Sequence, residues 1–304
     1  MLAVPDGVDA LMSGFGSDWL RLREPFDAAA RDDHGLAAGI PAAAGPYRVL
    51  DLGAGTGANL RYLAPRLGGE QLWTLVDHDA GLLEIAPDAL RRWAQAHGWE
   101  FERTGDEIRV HGVDFIVAVR RECHDLFRSL DALPWAEAHL VTASALLDLV
   151  SEVWFQQLIG HCGPASAALF FALTYDGRVE WTPSLAGDAR IVDALNRHQR
   201  GDKGFGAALG PAAAPRARQL LEAAGYRVRE ARSDWRMETS DHAMQARLIE
   251  DWSQAVQTMP SESPTRIETW RERRLAALNG GDSRLCVGHI DLLATPRSRA
   301  EIPQ

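Results

Sequence analysis

The chain has 304 residues, of which 46% are hydrophobic and 24% are charged. This composition is that of an ordinary globular protein, and it excludes collagen, coiled coils and disordered chains. Lys and Arg number 32 and Asp and Glu 42, so the formal net charge is −10 and DNA binding is not expected. The three cysteines, Cys123, Cys162 and Cys286, lie far apart, without the spacing of zinc ligands. We therefore predict reduced thiols and no metal site.

Targeting and membrane signals are not found in the sequence. The N-terminal segment 1–9 is acidic and lacks the basic start and apolar run of a signal peptide. No stretch approaches the roughly 18 apolar residues that a membrane helix requires. The sequence predicts a cytoplasmic protein with no membrane partner.

Hydrophobic periodicity predicts alternating strands and helices after a first helix over 17–30. The predicted strands cover 48–52, 72–76, a hairpin at 99–103 and 107–110, and then 115–119, 138–143, 167–174, 226–235 and 284–293. The later predicted helices cover 59–66, 81–98, 152–160, 216–224, 241–258 and 264–278. This alternation is typical of a doubly wound α/β fold with a sheet covered on both faces.

The most informative stretch is Val49–Gly57, with the sequence VLDLGAGTG. A buried-type strand runs into three alternating glycines, and a helix follows. Glycine permits positive φ and a close approach of the backbone to a ligand. Free N–H groups at the start of a helix favour polar ligand groups. Since open α/β sheets bind ligands beyond the carboxyl ends of their strands, this loop predicts a ligand site.

Two kinds of cofactor loop fit this stretch. Gly53-x-Gly55-x-x-Ala58 satisfies the dinucleotide fingerprint G-x-G-x-x-A, with Asp77 about 20 residues further on. An NAD(P)-dependent oxidoreductase of Rossmann type is therefore one alternative. The spacing G-x-G-x-G after Asp51 instead resembles motif I of the class I S-adenosylmethionine-dependent methyltransferases.

The resemblance continues along the chain in the order of the family's motifs. Segment 76–86 (VDHDAGLLEIA) looks like the second motif, in which an acid ends strand two and a leucine-containing helix begins. Asp125-Leu126 is similar to the third motif, and 138–147 resembles the fourth strand and its exit. The matched region covers about 47–175, a little under half of the chain.

The resemblance implies a Rossmann-like, seven-stranded mixed sheet in the order 3-2-1-4-5-7-6, with S-adenosyl-L-methionine as cofactor and S-adenosyl-L-homocysteine as product. It implies a methyltransferase domain over 47–304 after an N-terminal helical cap over 1–46. Within that domain we expect three regions: a cofactor-binding core at about 47–175, a substrate-side loop at about 176–215 and a helical insertion at about 240–280.

The resemblance also implies roles for the residues of the glycine loop. Three of them would let the backbone pass the methionine and ribose groups of the cofactor: Gly53, Gly55 and Gly57. Ala54, between the first two, would also belong to the cofactor site. Asp51 would lie under the loop, where it would organise the backbone or meet the amino group of the cofactor through water.

Five further residues would complete the cofactor site. Asp77 has two acceptor oxygens for the two ribose hydroxyls, and His78 would lie against the adenine. Asp125 and the Leu126 amide would contact the adenine, and Ser144 would face the methionine end. Ordinary structural roles are the alternatives: a helix cap for Asp77 or Ser144, a turn for Asp125 and a solvated loop for His78.

The acceptor side is predicted from the polar stretch 196–211 (NRHQRGDKGFGAALGP), interpreted as a flexible loop at the carboxyl edge of the sheet. Its donor and acceptor groups would bind a hydroxyl-rich or anionic small molecule through Arg200, Asp202 and Lys203, the only lysine. His198 is the candidate base, because imidazole titrates near neutral pH. A solvated connector is the alternative.

Tyr175, directly after the fifth strand, is a second candidate catalytic residue, with a turn as the alternative. Arg23 would bind substrate if the N-terminal helix folds over the cofactor, and ordinary surface charge is the alternative. Asp148 and Ser151 are interpreted as supporting or capping groups.

The resemblance therefore implies methyl transfer from S-adenosylmethionine to a small-molecule acceptor. This chemistry asks mainly for alignment of the reactants, so the lack of an obvious catalytic triad does not argue against it. A catalytically inactive S-adenosylmethionine-binding protein is the non-enzyme alternative. The acceptor, the attacking atom (O, N or C), the need for a base and a homodimeric state stay open.

Overall fold

The computed structural model describes residues 16–32 and 35–297. Predictions about the segment 1–9 therefore lie outside the described residues. Within the described part of the chain, no helix is both long and apolar enough to cross a membrane.

Helices and strands alternate through most of the described chain. The α-helices are α1 (Ser17–Asp32), α2 (Ala58–Leu67), α3 (Ala80–His97), α4 (Glu152–Ala165), α5 (Asp188–Gln199), α6 (Ala213–Ala223), α7 (His242–Gln257) and α8 (Pro264–Asn279). The strands are β1 (Tyr47–Leu52), β2 (Gly69–Asp77), β3 (Glu100–Thr104), β4 (Glu107–His111), β5 (Phe115–Cys123), β6 (Leu140–Ser144), β7 (Ala168–Thr182), β8 (Tyr226–Arg232), β9 (Trp235–Met237) and β10 (Arg284–Pro296).

All strands of the described residues join one mixed sheet, in the order β3-β4-β5-β2-β1-β6-β7-β10-β8, with β9 paired to β10. Neighbours from β5 to β7 are parallel, whereas β10 is antiparallel to β7, β8 and β9. The predicted seven-stranded sheet is wrong, because the sheet has ten strands. The β3–β4 hairpin extends the edge beyond β5, and β9 is an additional short strand.

The sheet separates two hydrophobic clusters, so both of its faces are buried. Successive residues of β1 point to opposite faces: Val49 belongs to one cluster, and Leu50 and Leu52 belong to the other. The first cluster includes side chains of α1, α2, α3, α5, α7 and α8, and the second includes those of α4 and α6. The prediction of an α/β fold with helices on both faces is confirmed.

The fifth predicted strand is longer than the sequence pattern indicates. β7 continues to Thr182, because its antiparallel partner β10 pairs with it as far as Arg284. Tyr175 therefore lies within the strand, and its predicted position directly after the strand is wrong.

The predicted flexible loop at 196–211 is partly helical. α5 ends at Gln199, and its buried Ile191, Ala194 and Leu195 have helical spacing that polar neighbours obscure. His198 therefore lies in the last turn of a helix. The predicted sixth strand is also interrupted between β8 and β9, where Ser233 N donates to His289 O (3.0 Å).

Candidate functional site

The glycine loop between β1 and α2 turns at the carboxyl edge of the sheet. Gly53, Gly55 and Gly57 have φ values of 63°, 53° and 79°, in the left-handed region that glycine adopts without a steric cost. Ala54 N donates to Val76 O (3.0 Å), which ties the loop to β2. The strand, loop and helix thus have the local geometry that the sequence predicts.

Asp77 ends β2 and holds the loop from one side. Its Oδ2 accepts a hydrogen bond from Gly55 N (2.7 Å), and its Oδ1 accepts one from Asp79 N (3.0 Å). Burial opposes ionisation, but the bonds from His78 and these backbone groups leave the pKa of Asp77 below its usual value. The carboxylate is therefore ionised at neutral pH. The two oxygens have four lone pairs and accept three hydrogen bonds, so one position stays for a hydroxyl group of a ligand.

Asp51 lies in β1 and is fully buried. Its Oδ1 accepts from Asn59 Nδ2 (2.8 Å), whereas its Oδ2 has no hydrogen-bond partner among the described residues. Burial raises the pKa of Asp51 to about 7, against the lowering effects of Asn59 and Arg31. Arg31 belongs to the same network, since its Nη2 donates to Asn59 Oδ1 (3.0 Å). The Oδ2 atom is therefore a buried polar group that the described residues leave unsatisfied.

The helix α1 packs over the glycine loop. A Cβ atom on Gly55 would lie 3.0 Å from Leu20 Cδ1. Glu24 accepts two hydrogen bonds from Arg61 (2.7 and 2.6 Å), and these link α1 to α2. Buried Arg31 anchors the last turn of the helix. The loop is therefore shielded from solvent by a helix that buried polar contacts hold in place.

The other predicted cofactor residues differ in exposure. The side chain of His78 is 44% exposed. Asp125 is about half exposed, and it accepts a hydrogen bond from the backbone N–H two residues later. Leu126 is buried, and its carbonyl accepts from Trp154 Nε1 (2.8 Å). Ser144 ends β6 and borders a cavity of about 180 Å³. Asp125 thus has the contact of a turn residue, and its exposed edge is open to a ligand.

A second cavity, of about 340 Å³, lies beside the segment that leaves β6. Its apolar walls come from distant parts of the chain and include Trp19, Leu149, Leu173, Trp235 and Trp252. Its polar groups include Arg23, Asp148, Tyr175, His198, Asp202, Lys203, Asp251 and His289. In the part of the chain that the structure describes, no cluster of three or more His, Cys, Asp or Glu side chains could hold a metal ion.

The 340 Å³ cavity brings together five of the six predicted catalytic and substrate residues, and exposed Arg200 is not among its lining residues. Lys203 Nζ lies 3.3 Å from His198 Nδ1. Burial and the Lys203 charge lower the pKa of His198. Tyr175 donates its hydroxyl to Asn196 Oδ1 (2.9 Å), and burial raises the pKa of that hydroxyl. The imidazole is therefore neutral and the phenol protonated near pH 7.

Two buried polar residues of the lining, Asp148 and His289, have no functional role predicted from the sequence. Asp148 is buried, and its Oδ1 has no hydrogen-bond partner among the described residues. His289 is also buried, and its Nδ1 lies 3.1 Å from Val287 O. A histidine within the apolar last strand was the only sequence signal for His289. Ser151, in contrast, caps α4 as predicted by accepting from Trp154 N (3.3 Å).

Backbone strain is found at two residues that line the 340 Å³ cavity. Ala145 and Leu173 have φ values of 53° and 54°, which are uncommon for residues with a side chain. Ala145 N donates to Ala172 O (2.9 Å), and Leu173 N donates to Asp291 Oδ1 (2.8 Å). These bonds hold both residues at the carboxyl edge, and such strain clusters at functional sites.

Comparisons with known proteins give similarity only at the level of solved structures. No protein-family model matches the chain, and no curated protein matches it. The cyclopropane synthase MmaA2 from Mycobacterium tuberculosis is 12% identical, covers 97% of this chain and 100% of that chain, and has a TM-score of 0.48. The YcgJ protein from Bacillus subtilis is 15% identical over 87% of this chain and 97% of that chain, with a TM-score of 0.46.

A third solved structure is the S-adenosylmethionine-dependent methyltransferase from Thiobacillus denitrificans in complex with S-adenosyl-L-homocysteine. It is 16% identical, covers 97% of this chain and 100% of that chain, and has a TM-score of 0.42. All three TM-scores lie below 0.5, so these similarities support no conclusion about the activity of this chain.

Proposed function

We propose that the protein transfers a methyl group from S-adenosylmethionine to a small-molecule acceptor. The observation that carries this proposal is that the glycine loop and the 340 Å³ cavity lie on either side of the segment that leaves β6. A Cβ atom on Gly53 would lie 3.6 Å from Leu146, while Ala145 and Asp148 line the cavity. A nucleoside at the loop would therefore be bound beside an acceptor in the cavity, as methyl transfer requires.

The order of the strands supports this class of enzyme. Without the β3–β4 hairpin and β9, the sheet reads β5-β2-β1-β6-β7-β10-β8. Counted in chain order, these seven strands lie as 3-2-1-4-5-7-6, the order that the resemblance implies, with the seventh antiparallel to both neighbours. The dinucleotide-binding fold has the order 3-2-1-4-5-6 instead.

The residues around the glycine loop fit S-adenosylmethionine. Ionised Asp77 accepts from Gly55 N, Asp79 N and His78, so one of its four lone pairs stays for a ribose hydroxyl, and a second hydroxyl would replace one of these donors. Asp51 is fully buried, so its unpaired Oδ2 would meet the cationic amino group through water. Gly55 has no side chain, so its own backbone is not covered at this position. The residues that would hold the cofactor are Asp51, Gly53, Ala54, Gly55, Gly57 and Asp77, with His78, Asp125, Leu126 and Ser144 around them.

When bound, the sulfonium of the cofactor supplies an activated methyl group and a neutral thioether as the leaving group. The residues of this chain would bind the two reactants and align them. Trp19 and Leu20 of α1 cover the cavity and the loop and would exclude water from both. An acceptor of drug size or smaller fits a cavity of about 340 Å³.

The two alternatives make different predictions for binding. A nicotinamide-dependent oxidoreductase would bind NAD(P)H at the same loop. A catalytically inactive binding protein would bind S-adenosylhomocysteine but would need no acceptor site, whereas this chain has a cavity with charged groups beside the loop.

Calorimetry tests the proposal directly. We expect S-adenosylhomocysteine to bind and NADH and NADPH not to bind. In Asp77→Asn the affinity should fall roughly tenfold or more, because a hydrogen bond to a charged acceptor contributes about 1.5–3 kcal/mol. Asn keeps an amide oxygen for Gly55 N but loses the bond from Asp79 N, so the thermal stability of the variant is measured alongside. Asp106→Asn is the matched control, since that side chain is fully exposed in a hairpin turn. NAD(P)H binding in place of S-adenosylhomocysteine would overturn the proposal.

A further inference from the structure

The buried carboxylate of Asp148 has an oxygen that the fold leaves without a partner. Asp148 is 6% exposed, and no donor among the described residues lies within hydrogen-bond distance of its Oδ1. The backbone N–H groups of Asp148 itself and of Tyr175 lie near the carboxyl group and lower its pKa. Leaving a buried acceptor unsatisfied is costly. The Oδ1 atom is itself buried, and the side chain of Asp148 lines the 340 Å³ cavity, so the unpaired oxygen lies at the cavity wall.

The walls around Asp148 indicate which kind of molecule would bind there. Indole rings of Trp19, Trp235 and Trp252 line the cavity together with several aliphatic side chains. Aromatic walls favour a flat or apolar body, since ring–ring contacts add to the burial of apolar surface. Within such a body, a hydrogen-bond donor is the group that satisfies the free Oδ1.

We propose that Asp148 is a catalytic residue that accepts the proton of an O–H or N–H nucleophile on an apolar, ring-containing acceptor. This inference rests on the proposed function. The oxygen or nitrogen of the acceptor forms the new bond to the methyl carbon as the carbon–sulfur bond of S-adenosylmethionine breaks. The sulfur keeps that electron pair and becomes a neutral thioether. The proton of the nucleophile goes to Asp148 Oδ1, so atoms and charge balance.

The other titratable groups of the cavity are less suited to this role. Tyr175 is protonated and donates to Asn196. His198 Nδ1 faces the ammonium of Lys203 at 3.3 Å. His289 Nδ1 must carry its proton to donate to Val287 O, and burial lowers the pKa of that ring to about 3, which makes it a very weak base.

The protonation of Asp148 sets a pH dependence for ligand binding. Burial raises the pKa of Asp148 to about 6, while its backbone hydrogen bonds and the charges of Arg23 and Lys203 lower it. The charged or titratable groups that face it are Arg23 from α1, Tyr175 from β7, His198 from α5, Asp202 and Lys203 from the following loop, Asp251 from α7 and His289 from β10. A ligand that donates to the ionised carboxylate should bind more tightly as the pH rises through about 6.

Two probes isolate this hydrogen bond. Indole carries one N–H donor that does not ionise near neutral pH, and 1-methylindole has the same ring without the donor. We expect the affinity of the wild-type protein for indole, followed by fluorescence or calorimetry, to rise about tenfold between pH 5 and pH 8. The affinity for 1-methylindole should stay constant over this range, because the probe has no N–H to donate to Asp148. Any pH effect of the other groups in the cavity would appear with both probes.

Substitutions complete the test. Asp148→Asn keeps the shape but cannot titrate, so the rise in indole affinity should disappear, and Asp148→Leu should remove the preference for indole over 1-methylindole. Asp251→Asn is the matched control, because Asp251 lines the same cavity but is paired with Arg247 (2.8 Å). Equal pH profiles for the two probes in the wild-type protein, or an unchanged indole profile in Asp148→Asn, would overturn the role of Asp148.

S-adenosylhomocysteine binding separates this inference from the proposed function. If S-adenosylhomocysteine binds and the indole profile is flat, the role of Asp148 fails while the methyltransferase proposal stands. If S-adenosylhomocysteine does not bind at any pH, the proposed function fails, and with it the transfer step assigned to Asp148.

Discussion

The glycine loop and the 340 Å³ cavity lie on either side of one short segment, yet they are built in different ways. The loop comes from one stretch of chain, and its N–H groups are largely paired, as in the bond from Gly55 N to Asp77. The cavity is assembled from elements more than 250 residues apart in sequence, such as Trp19 and His289. Among its lining residues, Asp148 has a side-chain oxygen, Oδ1, with no hydrogen-bond partner among the described residues. The loop thus offers backbone shape, whereas the cavity offers side-chain chemistry.

Removing the carboxylate of Asp291, which contacts both regions, should have the largest effect on the free energy of unfolding. Asp291 accepts hydrogen bonds from Leu173 N at the cavity and from Ser233 Oγ, and it pairs with Arg31 of the loop network (3.7 Å). In Asp291→Ala the guanidinium of Arg31 would be buried without this charge. We expect the free energy of unfolding, measured in urea, to fall by about 3–5 kcal/mol.

Asp131→Ala serves as the control for Asp291→Ala, because its side chain is 90% exposed. It should change the free energy of unfolding by less than about 0.5 kcal/mol. Equal effects of the two substitutions would show that Asp291 does not connect the two regions energetically.

The second largest effect on stability concerns Asp51, a buried carboxyl group on the loop side whose Oδ2 has no hydrogen-bond partner among the described residues. Because burial raises its pKa to about 7, the folded protein keeps a proton that the unfolded chain releases near pH 4. The stability that this proton contributes is present in acid and is lost as the pH rises through about 7. Asp51→Asn should therefore gain about 2–3 kcal/mol relative to wild type between pH 5 and pH 8.

Urea unfolding of both proteins at the two pH values measures this difference, and other titrating groups cancel in the comparison. A difference that does not depend on pH would mean that Asp51 is ionised in the folded protein throughout. The loop would then resemble the cavity more closely, since each would hold a buried charge.

The smallest expected effect on stability comes from two glycine substitutions, which together distinguish backbone strain from ligand binding at the loop. Gly55→Ala and Gly98→Ala both place a side chain at positive φ (53° and 70°), but only at Gly55 does a neighbour, Leu20, lie within 4 Å. Each should cost about 1–2 kcal/mol of stability. Only Gly55→Ala should also weaken S-adenosylhomocysteine binding, by about tenfold or 1.4 kcal/mol. Equal binding by both variants would argue against ligand contact at the loop backbone.

The same contrast explains what could be predicted from the sequence. The loop was predictable, because glycine spacing and the acid after β2 are local signals with a direct backbone meaning. The long β7 was not, because its extension depends on pairing with β10, about 100 residues later in the chain. The sequence indicates only a supporting role for Asp148, since only the folded chain shows that its Oδ1 has no hydrogen-bond partner among the described residues.

The helix α1 contacts both regions. Trp19 lines the cavity, and Leu20, the next residue, rests on Gly55. A nucleoside and an acceptor would therefore meet the same helix on their way in or out, so movement of this one element would open both compartments together. The ion pair between Glu24 and largely buried Arg61 is one of the contacts that such an opening would break, and its partial burial would make it only weakly sensitive to salt.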